Sequence, residues 1–227
     1  MNSARYAVYY APSEDHPLTK KAADWLGRCA WQNIPIERSL LTDINDDLDA
    51  LTAAPRHYGF HATLKAPFAL AEDRTEAELL EAVEAFCVGY QAFDVQMSVS
   101  GIGGFLALML TEPSDAMTDL HTHAVKDFDG FRAPMTDADI TRRRRAPLSP
   151  EQDARMLEWG YPYIFDEFRF HMTLSSFIKD ETKREMLRER LDEAFEPQTH
   201  RVDGLAVFYQ PNRESDFVIR DRFSFRS

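Results

Sequence analysis

Cysteine is scarce in this sequence of 227 residues, which contains only Cys29 and Cys87. Each lies in a segment with the apolar periodicity of a helix, so we expect two reduced thiols in the core and no disulfide bond. Metal-binding patterns are missing as well, because the sequence has neither an H-E-x-x-H motif nor a cluster of Cys and His. We therefore expect no metal site and no cofactor.

Long hydrophobic runs are also absent. No stretch approaches the roughly 20 apolar residues that a membrane-spanning helix needs. The N-terminal residues enter an alternating apolar segment instead of a signal-peptide core. These features predict a cytoplasmic protein without a membrane partner, and they say nothing about protein partners. The hydrophobic fraction of 44% is enough to form a substantial core in a chain of this length.

Positive charge is in deficit: 26 Lys and Arg residues stand against 38 Asp and Glu residues, which gives a formal net charge of −12. Proteins that bind long nucleic acids neutralise many phosphates with Lys and Arg, so this balance argues against a long nucleic-acid partner. A local cationic pocket can still bind a small anion. The partner that we expect is a small phosphorylated substrate.

The pattern F-H-x-T-L occurs twice, at residues 60–64 and 170–174. Each copy is typical of a strand, because apolar and polar side chains alternate. A helix is predicted after each copy: one begins at Thr75, where Glu78 completes a capping-box pattern, and the other begins near Thr182. Two strands are expected after each helix, at 93–101 and 105–111 and again at 201–209 and 217–225.

The order strand, helix, strand, strand therefore occurs twice, which predicts an α+β fold with two pseudo-symmetric lobes. Two antiparallel sheets are expected to face a central cleft, with helices on the outside. The expected organisation is a single bilobal domain over residues 1–227, with repeated units around 57–111 and 168–225. The other expected elements are a strand over 5–11, a helix over 18–30, a loop with a short helix over 31–56, a helix over 115–128, an irregular basic stretch up to 150, and a helix over 151–159.

The paired His and Thr residues form the main candidate site. On a strand, His61 and Thr63 project from the same face, and so do His171 and Thr173. Because imidazole titrates near neutral pH, one neutral His can take a proton from water while a protonated His gives its proton to a leaving oxygen. The Thr hydroxyls can hydrogen-bond a phosphate. One H-x-T tripeptide is ordinary, but two copies with the same apolar flanks indicate a shared functional site.

These motifs resemble those of the two-histidine (2H) phosphoesterase superfamily, whose signature is a pair of H-x-[ST]-hydrophobic motifs from two pseudo-symmetric lobes. The resemblance covers essentially the whole chain. It is closest to a branch of poorly characterised proteins associated with carbon–phosphorus lyase gene clusters of phosphonate metabolism. The segments that carry this likeness are YGFHATLKAPF (58–68), GFLAL (104–108), FRAP (131–134), RRR within 142–145, WGYPYIF (159–165) and FRFHMTL (168–174).

The resemblance implies that His61, Thr63, His171 and Thr173 are catalytic residues. Superfamily members cleave or form 2′,3′- or 1″,2″-cyclic phosphates in RNA, nucleotides or ADP-ribose derivatives, so the resemblance implies the reaction type more firmly than the substrate. In phosphonate metabolism, a ribosyl cyclic phosphate is an attractive candidate.

Six further residues are candidates for binding the substrate or its phosphate: Tyr58, Lys65, Arg132, Arg143, Tyr163 and Arg169. Arg suits a phosphate because its donors form a planar array. A helix over 142–145 would send the four Arg side chains in different directions, so one or two of them are expected to reach a pocket.

A structural role stays open for each of these six residues. The Arg run can be a solvated loop or a helix face paired with nearby acids, Lys65 can be a solvated surface residue, and the tyrosines can pack in the core. Four other histidines are expected at the surface: His16, His121, His123 and His200.

The leading hypothesis is a metal-independent phosphoesterase that hydrolyses a small cyclic phosphate with one His as acid and the other as base. The sequence leaves open which His has which role. One alternative is an RNA-end 2′,3′-cyclic phosphodiesterase or ligase, which the net charge disfavours. The other is a protein that binds a phosphorylated metabolite without turning it over.

Overall fold

The computed structural model describes residues 4–44 and 47–226. The expectation about a signal peptide concerns residues 1–3 in part, and these lie outside the described ranges. The helices are α1 (Pro17–Leu26), α2 (Leu48–Tyr58), α3 (Glu76–Val88), α4 (Asp115–Asp127), α5 (Asp137–Arg143), α6 (Pro150–Trp159) and α7 (Glu181–Phe195). The strands are β1 (Arg5–Tyr10), β2 (Arg28–Cys29), β3 (Ile34–Pro35), β4 (Ala62–Phe68), β5 (Phe93–Ile102), β6 (Phe105–Leu110), β7 (His171–Thr173), β8 (Gln198–Val202), β9 (Gly204–Gln210) and β10 (Val218–Ser224).

An eight-stranded antiparallel sheet, in the order β10-β9-β1-β4-β7-β6-β5-β8, organises the fold. It has two four-stranded halves, which meet where β4 pairs with β7 through Ala62 and Met172. Helix α3 packs against β9 and β10, and α7 packs against β5. The predicted α+β class is confirmed, and the two expected sheets are halves of one continuous sheet.

The two sequence repeats exchange strands between these halves. Strands β5 and β6 follow the first motif strand in the chain, but β6 pairs with β7, the second motif strand. Strands β9 and β10 follow the second motif strand, and β9 pairs with β1 beside the first. Each half of the sheet therefore contains strands from both repeats.

The single strand predicted over 201–209 is wrong, because the chain crosses between the two ends of the sheet at Asp203. Strand β8 pairs with β5 at one edge, and β9 pairs with β1 near the other. Glycine is required at the start of β9, since a Cβ on Gly204 would lie 2.4 Å from the carbonyl oxygen of Phe223. The segments before and after Asp203 both have strand-like patterns, so the sequence does not divide them. They are two strands because they pair with different partners.

Several helix boundaries also differ from the predictions. Helix α1 ends at Leu26, where Gly27 adopts a left-handed conformation with φ 72°, so Cys29 lies in β2 and not in a helix. Helix α5 forms within the stretch that was expected to be irregular. The capping box at α3 is confirmed, with Thr75 Oγ1 accepting from the Glu78 amide and the Glu78 side chain accepting from the Thr75 amide.

The apolar side chains of the motif strands lie in the main core, as their alternation predicts. Those of the first copy are Phe60, Ala62 and Leu64, and those of the second are Phe170, Met172 and Leu174. The indole of Trp25 donates to the carbonyl oxygen of Leu174 at 2.7 Å, which ties α1 to the end of the second motif. In the described part of the chain, no helix combines the length and apolar character needed to cross a bilayer.

Two histidines that were expected at the surface are buried instead. The side chains of His121 and His200 are both 2% exposed. His121 stacks on Phe168 with ring centroids 3.8 Å apart, and the Tyr10 hydroxyl contacts Nε2 of His200. The immediate neighbours of His200 are polar, whereas His121 lies on the same helix as the buried Met117, Leu120, Ala124 and Val125.

Candidate active site

Strands β4 and β7 place the two H-x-T motifs side by side. Ala62 pairs with Met172, and both side chains are fully buried on the core face of the sheet. Because side chains alternate along a strand, the flanking His and Thr residues lie on the opposite face. The antiparallel register also sets Thr63 across from His171, and His61 across from Thr173.

Each motif histidine is oriented by a main-chain carbonyl two residues earlier. Nδ1 of His61 lies 2.8 Å from the Gly59 oxygen, and Nδ1 of His171 lies 2.7 Å from the Arg169 oxygen. A carbonyl oxygen can only accept, so Nδ1 carries the proton and donates in both cases. In the neutral imidazole, Nε2 is then left with a lone pair, and on His61 it lies 3.3 Å from the Thr63 hydroxyl.

A cleft of about 530 Å³ opens over the two motifs. Its walls include His61, Thr63, His171, Thr173, Tyr58, Arg143, Arg5, Tyr9, Tyr161, Ile102, Gly103 and Phe105. A second chamber adjoins it and shares Thr63 and His171, and its lining also includes Tyr163 and Arg169. The cleft is within the range of roughly 300–1,000 Å³ that is typical of small-molecule sites.

His61 lies among aromatic rings at the base of this cleft. Tyr9 stacks on it with ring centroids 3.8 Å apart, while the centroids of Phe208 and Tyr58 are 5.7 and 6.1 Å away. Burial lowers the pKa of His61 to about 4; the hydrogen bond to Gly59 opposes this effect, and the charge of His171 adds to it. His61 is therefore a neutral imidazole at physiological pH.

The structure brings together most of the sequence-derived site residues. The four motif residues, Tyr58 and Arg143 line the cleft, while Tyr163 and Arg169 line the adjoining chamber. Arg169 also supplies the carbonyl that orients His171. Tyr58 and Tyr163 are 36% and 40% exposed, so neither packs in the core.

Lys65 does not share the face of His61 and Thr63, in contrast to the sequence prediction. A β-bulge explains this: Tyr9 of β1 pairs with Thr63, and the adjacent Val8 pairs with Lys65. Adjacent residues of β1 face opposite sides of the sheet, and so do their partners. The ammonium of Lys65 is consequently buried, 2.6 Å from an Asp129 carboxylate oxygen and 2.8 Å from the Val125 carbonyl oxygen.

Arg132 also lies away from the two chambers. Its Nε is 2.9 Å from Oδ1 of Asp129, and its guanidinium donates to the Glu158 carbonyl oxygen at 2.8 Å. Asp129 thus joins Lys65 and Arg132 in one ionic cluster beneath α4. The structure places both residues in structural contacts and not in the candidate site.

Within the 142–145 run, Arg143 is the residue that reaches the cleft. Arg142 pairs with Asp139 at 2.7 Å, and Arg144 pairs with Asp153 at 2.7 Å. The guanidinium of Arg143 lies over the ring of Tyr161, 4.8 Å from its centroid. The end of helix α5 and its C-cap residue, Arg144, therefore send successive arginines in different directions, as the sequence predicted.

Sequence reasoning did not identify Arg5, Tyr9 and Tyr161 as cleft residues. Arg5 and Tyr9 belong to β1, more than 50 residues before the first motif, and reach the cleft because β1 pairs with β4. Tyr161 is part of the WGYPYIF segment, which carries part of the family resemblance, but the sequence did not indicate that this segment lies at the cleft. For Arg5 and Tyr9, the pairing of β1 with β4 supplied the missing information.

The profile of the family described as "Protein of unknown function (DUF1045)" matches residues 63–218. This chain belongs to the DUF1045 family. The matched region begins at Thr63 and includes the whole second motif, so most of the candidate site lies within the family's shared sequence.

Two curated relatives are named "Ribose 1,5-bisphosphate phosphokinase PhnN". The protein from Janthinobacterium sp. (strain Marseille) is 41% identical over 176 residues, which are 77% of the DUF1045 chain and 39% of the relative. The protein from Laribacter hongkongensis (strain HLHK9) is 34% identical over 218 residues, which are 94% of this chain and 50% of the relative. The chain thus spans half or less of the length of these relatives.

Solved structures with a similar fold include E. coli LigT complexed with NADP+. It aligns over 100% of both chains with 12% identity and a TM-score of 0.44. The protein TT0787 of Thermus thermophilus aligns over 98% of both chains with 10% identity and a TM-score of 0.46.

Proposed function

We propose that this chain is a metal-independent phosphoesterase that hydrolyses a small cyclic phosphate ester by acid–base catalysis. The observation that carries the proposal is the matched orientation of His61 and His171, whose Nδ1 atoms both donate to a carbonyl two residues earlier. With Nδ1 occupied, each ring has Nε2 for proton transfer at one cleft. The resemblance of the two H-x-T motifs to those of 2H phosphoesterases supports the same reaction type.

The proposed reaction assigns the base role to His61, because its lowered pKa keeps it neutral. Nε2 of His61 takes a proton from a water molecule, and the water oxygen forms a bond to phosphorus. The bond from phosphorus to one ring oxygen breaks, and protonated His171 gives its proton to that oxygen. The hydroxyls of Thr63 and Thr173 hydrogen-bond the non-bridging phosphate oxygens. The product is a phosphomonoester, and one water molecule is consumed.

For the substrate, we propose a ribosyl or nucleotide cyclic phosphate. The cleft of about 530 Å³ suits a molecule of that size. The two curated relatives are named for a phosphorylated ribose, which supports a sugar phosphate as the ligand class. Phosphonate metabolism is the proposed context, as the sequence resemblance implies. A net charge of −12 disfavours a long RNA.

The pH dependence of catalysis tests the assignment of His61 as the base. We expect the acid limb of kcat/KM near pH 4, where His61 becomes protonated, and not near 6.5, the value for an unperturbed imidazole. Tyr58→Ala opens the site to water and is expected to move this limb towards 6.5. The rates are corrected for the folded fraction at each pH, followed by tryptophan fluorescence. A wild-type limb at 6.5 would transfer the base role to a solvated histidine.

A further inference from the structure

A second concentration of positive charge lies in the same cleft as the histidine pair. Arg5 of β1 and Arg143 of α5 both line the cleft wall. Within residues 4–44 and 47–226, neither guanidinium forms an ion pair with a carboxylate; Arg5 contacts the Gln210 side chain and Phe217, and Arg143 contacts the ring of Tyr161. The two arginines therefore bring positive charge to the cleft wall without a paired carboxylate.

Arg5 is held in place by neutral groups that leave its charge uncompensated. The fully buried Gln210 accepts from Nε of Arg5 at 2.8 Å through Oε1. Its amide nitrogen donates to the Ser215 carbonyl oxygen at 2.6 Å and to Nε2 of His57 at 3.1 Å. The Ser215 contact fixes the amide orientation, because a carbonyl can only accept. Nδ1 of His57 then donates to Asp216 at 2.9 Å.

The surroundings add further positive charge. Arg142 and Arg213 share one carboxylate, with Asp139 Oδ1 at 2.7 Å from the first and 2.5 Å from the second. Burial, followed by the charge of Arg213, lowers the pKa of Arg5. Arg142 and Arg213 thus lie near Arg5 and add to the positive charge of the two arginines in the cleft wall, which favours an anion.

These arginines lie apart from the reacting histidine. Arg5 lies over the ring of Phe217, whose centroid is 6.4 Å from that of Tyr9, the ring that stacks on His61. Arg143 lies over the ring of Tyr161. A cation that binds the reacting phosphate would also lie close to His61. The two guanidiniums therefore suit a different anionic group of the bound molecule.

We propose that Arg5 and Arg143 bind a second phosphate of the substrate, so that the substrate is a small molecule with a phosphomonoester in addition to its cyclic phosphate. This inference rests on the proposed function, because it names the substrate class of the same cleft. Paired arginines suit a phosphomonoester, since their planar donor arrays match its oxygens. The Gln210–His57–Asp216 chain positions Arg5, while the ring of Tyr161 supports Arg143.

The test compares ribose 1,2-cyclic phosphate 5-phosphate with ribose 1,2-cyclic phosphate, which lacks the second phosphate. We expect wild-type kcat/KM to favour the first compound by about 100-fold. Arg143→Gln or Arg5→Gln is expected to reduce this ratio by about 10- to 100-fold, which is the effect of charge-assisted hydrogen bonds lost to one guanidinium. Arg144→Gln is the matched control, since Arg144 pairs with Asp153 outside the cleft. It should keep the wild-type ratio.

A binding measurement separates this inference from the proposed reaction. The doubly substituted His61→Ala/His171→Ala protein is titrated with both compounds by calorimetry. Ribose 1,2-cyclic phosphate 5-phosphate is expected to bind about 100-fold more tightly than ribose 1,2-cyclic phosphate. If wild type hydrolyses neither compound, the proposed function fails. The ratio of the two dissociation constants from calorimetry then tests the second phosphate site by itself. Equal affinity for the two compounds, or a preference that survives both arginine substitutions, would overturn the second site even if hydrolysis occurs.

Discussion

Replacing either His61 or His171 with alanine is expected to lower kcat on a cyclic phosphate ester by about 10²- to 10⁴-fold, the usual contribution of a general acid or base. Each ring supplies one Nε2 to the cleft, because its Nδ1 is engaged with a main-chain carbonyl. Loss of one ring removes one of the two proton transfers. The double substitution is expected to cost less than the sum of the two single effects, because the residues act as a unit.

The measurement is turnover of three classes of cyclic phosphate, with EDTA present. These are ribose 1,2-cyclic phosphate 5-phosphate, nucleoside 2′,3′-cyclic phosphates and an RNA with a terminal 2′,3′-cyclic phosphate. The preferred compound among them names the ester. A preference for the RNA end would favour an RNA-end phosphodiesterase over a small-molecule enzyme.

His123→Ala provides the matched control for these substitutions. His123 is an exposed histidine whose Nδ1 lies 2.6 Å from the Tyr90 hydroxyl, on a helix that does not carry the motifs. Its removal should leave kcat at the wild-type value. Activity that survives both His61→Ala and His171→Ala would place the reaction at another site, and tight binding without turnover in wild type would favour a binding protein.

A marked loss of stability in mild acid is the second large effect that we expect. His61, His121 and His200 each have a pKa of about 4 in the folded chain, mainly because burial disfavours the charged ring. In the unfolded chain, the imidazole pKa is near 6.5. The unfolded state therefore binds more protons between these two values, so their stabilising contribution is complete above pH 6.5 and is lost as the pH falls towards 4.

Each of these histidines should account for about 2 kcal/mol of stability lost between pH 7.5 and pH 5. The combined loss from the three histidines approaches the entire free energy of unfolding of a typical domain, which is about 5–15 kcal/mol. The measurement is the free energy of unfolding in urea as a function of pH. His200→Gln removes one titrating ring. The slope of its unfolding free energy against pH should therefore be smaller than that of wild type, by the equivalent of about one bound proton between pH 5 and pH 6.

The exposed His123→Gln variant is the control for this titration, and it should retain the wild-type slope. His121→Gln gives a second test, because the ring of His121 is also 2% exposed. If both buried-site variants have the wild-type pH dependence, protonation of these rings does not drive the acid unfolding, and the depressed pKa values would be wrong.

Local patterns were sufficient for the elements whose stability depends on near neighbours in the chain. The capping box at Thr75 and Glu78 formed as predicted, since both partners lie within one turn of helix. The alternation around His61 and His171 correctly assigned the apolar residues to the core. It also grouped each histidine with its threonine, because side-chain direction on a regular strand depends on residue parity alone.

Strand pairing was beyond the reach of these patterns. The bulge opposite Tyr9 turned Lys65 away from the motif face, and it arises from the register between β1 and β4. Arg5 reached the cleft by the same pairing. The alternation of side chains along one strand does not reveal a bulge, because a bulge depends on how that strand pairs with its neighbour.

The sequence by itself determined the candidate catalytic groups of this protein, which are two H-x-T motifs with matching apolar flanks. Whether an arginine of the 142–145 run lies near them was decided by the structure, which places Arg143 in the cleft wall. The tertiary structure decided that the motif strands lie side by side through Ala62 and Met172, and that the repeats exchange strands between the two halves of the sheet. The physical reason is how far apart the interacting residues lie along the chain. Side-chain alternation and helix caps depend on residues a few positions apart, whereas the sheet order depends on hydrogen bonds between segments as much as 205 residues apart.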